Sequence, residues 1–244
     1  MLVVNSAGWP EFKEAFLNRE IFTDSFPEIA SAFLVNVKIF CIAEVVILFT
    51  ALGVAVLRGL PGPVFFPVRL FAIVYADFFR GIPTILLVYL LGFGIPALQL
   101  SGVPTSELFW GTVALIFVYT AYVSEVYRAG IESVHPSQNA AARSLGLSHG
   151  QSLRYVVIPQ AVRRVIPPLL NDFIGLQKDT ALVAVLGVVE AFRQTQIDQF
   201  ATFNFTPAVA AAILFLLSTV PLTRFTDWLV ARDRRRRQAA GVLA

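Results

Sequence analysis

Long apolar runs separated by short polar segments dominate this chain. The first run extends from about Ile29 to Leu57 and ends in a turn cluster, "RGLPGPVFFPVR", whose prolines and glycines break helix. The second, about Val68 to Leu98, is interrupted by "RGIP" at Arg80 to Pro83. About 20 residues cross a bilayer as helix, so this stretch is either one long broken helix or a span plus a re-entrant piece. After the polar connection "QLSGVPTSE" the third run covers about Leu108 to Arg128. The fourth covers about Val165 to Val189, with Lys178 and Asp179 inside it, and the fifth about Pro207 to Val230. The pattern predicts an all-α integral membrane fold with five transmembrane helices and a long polar loop between spans three and four.

Composition agrees. Of 244 residues 57% are hydrophobic and 14% charged, whereas soluble domains carry about 25% charged residues. Mean hydropathy is +0.71. The single cysteine, Cys41, lies in an apolar run and suggests neither an intrachain disulfide nor a metal site. The opening residues lack a basic stretch followed by an apolar core, so no cleavable signal peptide is expected. "PEFKEAFLNREIF" reads either as a short amphipathic helix on a membrane surface or as a plain tail.

Charge placement sets the expected orientation. Arg58 and Arg69 follow span one; Arg128, Arg143, Arg154, Arg163 and Arg164 follow span three; Arg224, Arg232 and Arg234 to Arg237 close span five. The alternate loops hold Lys13, Arg19 and Arg193 and are rich in Glu and Asp. The basic segments therefore belong in the cytoplasm, with the N-terminus outside and the C-terminus inside, a parity that five spans satisfy. This divides the chain into an extracytoplasmic or interfacial segment (1–28), a transmembrane domain (29–230, with the polar loop at about 133–162) and a basic cytoplasmic tail (231–244). The tail reads as a topology anchor, with contact to anionic lipid as a second use, rather than as a nucleic-acid patch.

The polar loop has its own pattern. Asn139 reads as the cap of a short helix, "AAARSL"; Gly146 suits the left-handed position that ends a helix; Ser148 with Gln151 fits a capping box that starts another; Pro159 interrupts the chain before span four. Ala140, Ala141 and Ala142 give the first helix a face of little bulk. A DNA-reading helix-turn-helix fits only superficially, because such a reader needs a third helix or a dimer to position it. An ordinary polar loop and a docking element for a cytoplasmic partner are the other two readings.

"AAARSLGLSHGQSLRYVVIPQA" resembles the cytoplasmic loop of permease subunits of ABC importers, in which Glu-Ala-Ala is followed after three residues by Gly and later by Ile-x-Leu-Pro. Ala141, Ala142, Gly146 and Pro159 match; Ala140 stands where the family has Glu, and Val156 and Ile158 are conservative replacements. "DFFRGIPTILLVYLLGFGIP", "AYVSEVYRAGIESVHPSQ" and "PPLLNDFIGLQKDTALVAVLGVVE" resemble the second, third and fourth spans of the polar amino acid branch, in family order. The resemblance implies a permease subunit in the bacterial inner membrane. It would pair with a second permease, identical or homologous, and import a polar amino acid delivered by an extracytoplasmic binding protein. It implies docking of an ABC ATPase dimer, which carries the ATP and Mg, at Ala140, Ala141, Ala142, Ser144, Leu145, Gly146 and Leu147.

Charges within spans are expensive and each is a candidate for function. Lys38, Glu44, Glu125 with its neighbour Arg128, and Asp172 are expected to pair or bond between helices. Asp77 with Arg80, and Lys178 with Asp179 and Thr180, lie beside helix breaks, where free backbone groups meet charged substrates in transporters. Arg80 and the backbone near Thr180 suit a carboxylate; Asp77 and Asp179 suit an ammonium. The same charges serve equally well to lock spans together. No phosphate-binding Gly-x-x-x-x-Gly-Lys-Ser/Thr loop occurs, and His135 and His149 stand in no catalytic or metal-binding arrangement. The chain is therefore expected to be a permease and not an enzyme. An ATP-independent channel or carrier is the alternative, though it needs no docking platform.

Overall fold

The computed structural model describes residues 8–60 and 62–239, and within them the regular structure is entirely helical. Residues 1–7 of the N-terminal segment and 240–244 of the basic tail lie outside the described residues. In order come α1 (Trp9–Phe16), α2 (Arg19–Arg58), α3 (Phe66–Gly81), α4 (Thr84–Ala97), α5 (Glu107–Glu132), α6 (Pro136–Ser144) and α7 (His149–Ser152). A π-helical turn (Leu153–Val157) leads into α8 (Ile158–Asp179), which continues as a 3-10 segment (Thr180–Leu186) before α9 (Ala191–Thr202) and α10 (Thr206–Ala239).

Among the described residues, Trp9–Arg58, Glu107–Glu132 and Thr206–Arg232 are long and apolar enough to cross a membrane. α3 and α4 make a fourth candidate as a pair bent by 101° at their break. That break follows from sequence. Ile82 precedes Pro83 and is extended (φ −97°, ψ 134°), because the proline ring disfavours helix at the residue before it. α8 does not qualify, since Arg163, Arg164, Asp172, Lys178 and Asp179 all fall within its 22 residues. α2 starts ten residues before the expected edge at Ile29, because Asn18 caps it: its Oδ1 accepts the Ile21 N–H at 3.1 Å.

The chain forms two compact units. One comprises the described part of Met1–Ala43 with Ile85–Ala114 and Gln177–Pro221. Its core sets Ile29 against three alanines, Ala191, Ala210 and Ala211, whose small side chains admit Phe22, Phe26, Phe33 and Phe215. Phe33 and Phe215 meet edge to face at 5.1 Å. α1 is docked here rather than loose: Phe16 stacks on Phe205 at 5.1 Å, and the Phe205 N–H donates to the Ala15 carbonyl at 2.8 Å. The 3-10 segment packs where glycine leaves room, for a Cβ on Gly92 would lie 2.3 Å from Leu186 Cδ1.

The other unit comprises Glu44–Thr84, Leu115–Leu176 and the described part of Leu222–Ala244. Leu115, Val118 and Ala121 of α5 are fully buried. Thr50 of α2 and Thr120 of α5 share a hydrogen bond of 2.7 Å, and the Tyr75 hydroxyl of α3 donates to the Phe117 carbonyl at 2.9 Å. α5 crosses α8 at Gly130, where a Cβ would stand 2.0 Å from Val165 Cγ1. These contacts fix the frame from which the polar loop and the charged residues project.

Candidate functional site

The polar loop is a built element. α6 opens at Pro136, whose fixed φ and missing N–H suit a first helical position. Its cap is therefore His135, whose Nδ1 accepts the Ser137 N–H at 3.2 Å, and not Asn139 as the sequence suggests. Asn139 lies inside α6 and instead bridges the two helices, for its Oδ1 accepts from the Ser152 hydroxyl of α7 at 2.6 Å. Ser152 is fully buried, so this bond is shielded from water.

The turn between the two helices follows the expected chemistry. Gly146 is left-handed (φ +87°), the Leu147 N–H bonds the Ala142 carbonyl at 3.2 Å, and the Gly146 N–H bonds the Arg143 carbonyl at 3.0 Å. This is the Schellman pattern. The capping box is reciprocal: Gln151 N–H to Ser148 Oγ at 3.2 Å, Ser148 N–H to Gln151 Oε1 at 2.8 Å. Pro159 does not interrupt the chain; it sits in the first turn of α8, just after the π turn, a wider ring that precedes a residue lacking an N–H.

The alanine face needs revision. Successive helical residues point 100° apart, and Ala142 is buried while Ala140, Ala141 and Ser144 are exposed. Leu145 stands at the tip, 83% exposed, beside exposed Gly146 and half-buried Leu147. Beneath the loop, Val134, Val157 and Ala161 form a small core joining the end of α5, the π turn and α8. The Arg164 guanidinium donates to the Ser133 carbonyl across the same junction. The loop is thus joined to the end of α5 and to α8 by packed side chains and a hydrogen bond.

Charges inside the helices sort into three settings. Glu125 gathers three arginines: Arg58 from α2 on Oε1, Arg80 from α3 on the same oxygen at 3.3 Å, and Arg128 on Oε2 at 2.7 Å. Arg80 also lies over the Tyr122 ring at 5.8 Å. Arg80 is thus engaged by Glu125, while Asp77, one turn away, is exposed. Pairing of Glu125 and Arg128 is as expected; the capture of Arg80 is not visible in sequence, because it depends on how α3 meets α5.

Lys178 is exposed, whereas Asp179 is half-buried and engaged in a contact of its own. Thr180 is fully buried in a network that sequence reasoning missed. Asn36 Nδ2 donates to Thr180 Oγ1 at 3.1 Å and to Glu190 Oε2 at 2.8 Å, while Asn36 Oδ1 accepts the Ala191 N–H at 3.1 Å. Glu190 caps α9 through the Phe192 and Arg193 N–H groups. A lone Asn in an apolar run is the signal the sequence offers for it.

Glu44 and Asp172 form the third setting. They do not make the interhelical bonds expected of them: Glu44 Oε1 and Asp172 Oδ2 are shut off from solvent with no hydrogen-bond partner among the described residues. An uncompensated buried charge costs about 3–5 kcal/mol. No group of three metal-ligating side chains occurs among the described residues.

Apolar helices of membrane length, a polar loop packed on α5 and α8, and charges held among the helices suit a component that works within a membrane. The family described as the binding-protein-dependent transport system inner membrane component matches residues 60–235, and the chain belongs to it. Among curated relatives, the probable glutamine ABC transporter permease protein GlnM of Bacillus subtilis (strain 168) is 34% identical over 172 residues, 69% of this chain and 77% of that protein. The arginine transport system permease protein ArtQ of the same organism is 33% identical over 150 residues, 61% of this chain and 68% of that protein. Among solved structures, a chain of an amino acid ABC transporter crystallised with histidines superposes with a TM-score of 0.77 at 31% identity, covering 89% of this chain and 98% of that one. The present chain is accordingly a multi-pass component of the bacterial inner membrane and is not itself an enzyme.

Proposed function

We propose that this chain is the permease subunit of an ABC importer for a polar amino acid. The observation that carries this reading is the family match over 60–235 together with glutamine and arginine permeases at 34% and 33% identity. ATP and Mg act on a partner ATPase dimer, a second permease completes the pathway, and an extracytoplasmic binding protein delivers the substrate. The five spans are α2, the bent pair α3 and α4, α5, α8 with its 3-10 continuation, and α10, with the N-terminus outside and the C-terminus in the cytoplasm.

The ATPase meets the exposed Ala140, Ala141, Ser144 and Leu145, while Ala142, Gly146 and Leu147 hold the turn in shape. Asp77, Arg80, Lys178 and Asp179 border the pathway, and Thr180 anchors the 3-10 segment beside it. Coupling is a population shift: ATPase closure favours the loop position of one state of the spans. The test is reconstitution with the ATPase and binding protein in liposomes. ATP-driven accumulation of a labelled amino acid is expected, lost when Gly146 is replaced by Val; uptake that needs no ATP would refute the reading.

A further inference from the structure

We propose that Asn36 is a positioning residue of transport, the catch of a gate whose moving part is the 3-10 segment Thr180–Leu186. The inference rests on the permease reading above, on which this segment continues the fourth span at its outer end. Asn36 holds the segment's start and the start of α9 at once. Its Nδ2 donates to Thr180 Oγ1 at 3.1 Å and to Glu190 Oε2 at 2.8 Å, and its Oδ1 accepts the Ala191 N–H at 3.1 Å. All four residues are fully buried and lie in one compact unit. One side chain of α2 thus closes residues 180–191 into a loop. The far end of the segment is held by shape. Leu186 sits where α4 and α5 both lack a side chain: a Cβ on Gly92 would stand 2.3 Å from its Cδ1, and a Cβ on Gly111 2.9 Å from the same atom.

The segment is built to change length. A 3-10 run rarely exceeds three or four residues because its hydrogen bonds are poorer than those of an α-helix, and this one has 7. Its surroundings therefore hold it, not its own bonds. A 3-10 helix rises about 2.0 Å per residue and an α-helix about 1.5 Å, so winding these residues into α8 shortens them by about 3.5 Å and turns their end by about 140°. Leu186 then leaves its notch. Release strands no buried group. Glu190 keeps the Phe192 and Arg193 N–H groups at 3.0 and 2.8 Å, and the Thr180 hydroxyl keeps the Gln177 carbonyl at 2.7 Å. The catch has two definite settings, made or broken, because a packed interface is bistable rather than continuously deformable. Gly187, left-handed at φ +84°, gives the turn that lets the segment end while α9 keeps its own cap.

The test uses the permease–ATPase complex in liposomes with the binding protein, and labelled L-glutamine and L-arginine as probes. Leak is read without ATP from preloaded liposomes. Asn36→Ala is expected to raise it about 10- to 100-fold, the range for losing a hydrogen bond to a charged group, and to lower ATP-driven accumulation while ATP hydrolysis continues. Leu186→Ala loosens the notch without touching the polar catch and should leak likewise. A purely structural role would lower the thermal midpoint without opening a leak, so variants that lose midpoint yet stay tight overturn the proposal. Movement is read by Leu186→Cys in a Cys41→Ser background, labelled with a membrane-impermeant maleimide. Labelling should be slow at rest, faster during ATP turnover with the binding protein, and fast at rest once Asn36→Ala is added. Should Asn36→Ala not assemble, the Leu186 variants carry the test: labelling indifferent to turnover, or no leak in Leu186→Ala, overturns the gate. A wild-type complex that accumulates amino acid while labelling stays constant refutes the gate alone; one that drives no amino acid uptake refutes the permease reading itself.

Discussion

Glu125 concentrates the electrostatics of its unit on one carboxylate. Its side chain is 17% exposed and that of Arg58 10%, so their pair is largely shielded, whereas Arg80 and Arg128 remain well hydrated at 39% and 38%. Removing the acid leaves Arg58 buried without a counter-charge, while the other two arginines lose little. Glu125→Gln is therefore expected to lower stability by about 2–4 kcal/mol, below the full cost of breaking a buried pair because solvent screens the exposed arginines. A thermal midpoint measured in detergent checks this. The companion Arg58→Met should recover most of the loss in the Gln background, since the stranded charge is then gone. Sequence makes the charges legible and one of the three pairings: Glu125 and Arg128 lie three residues apart on one helix face. Arg58 and Arg80 reach the same acid from helices far away in sequence, which only the packing of α2 and α3 on α5 decides.

At the scale of elements, the loop and the crossing beneath it act together. The turn chemistry at Gly146, Ser148 and Gln151 is readable because it is local. Asn139 is misleading in sequence because Pro136 starts the helix a turn earlier, which makes an apparent cap into a bridge to Ser152. Asn139→Ala removes that bridge and leaves a buried hydroxyl unsatisfied, at a cost of about 1–3 kcal/mol. The expected outcome is faster amide exchange over residues 136–152 with the rest of the chain unchanged, and ATP hydrolysis by the partner less tightly tied to uptake. Gly130 offers a sharper test of the crossing. Its replacement by Ala drives a methyl into Val165, and overpacking of this kind costs about 1–3 kcal/mol. Val165→Ala opens the missing volume, so the double variant should regain much of the midpoint lost by the single one. Failure of that rescue would mean that the two helices are not in register here.

For the whole molecule the decisive element is α8. Apolar length alone selects Trp9–Arg58, Glu107–Glu132 and Thr206–Arg232, with the bent pair of α3 and α4 as a fourth. Four crossings would return the chain to the side on which it began. That would put the basic tail opposite the basic loop and against the rule that Lys and Arg stay in the cytoplasm. Counting α8 with its 3-10 continuation as a fifth crossing restores agreement, and its charges have individual explanations. Arg163 and Arg164 lie near its start beside the polar loop, Arg164 bonds Ser133, and Lys178 and Asp179 end the helix where the 3-10 turn begins. Reporter fusions decide the matter. Fusions at residues 62, 147 and 239 should report the cytoplasm, and fusions at 102 and 203 the outer side. A tail reporting from the outer side, with residue 147 still in the cytoplasm, would remove α8 from the spanning set. The bend at Ile82 is legible because proline announces it, whereas α8 needs charge placement and structure together, since its own polarity conceals it.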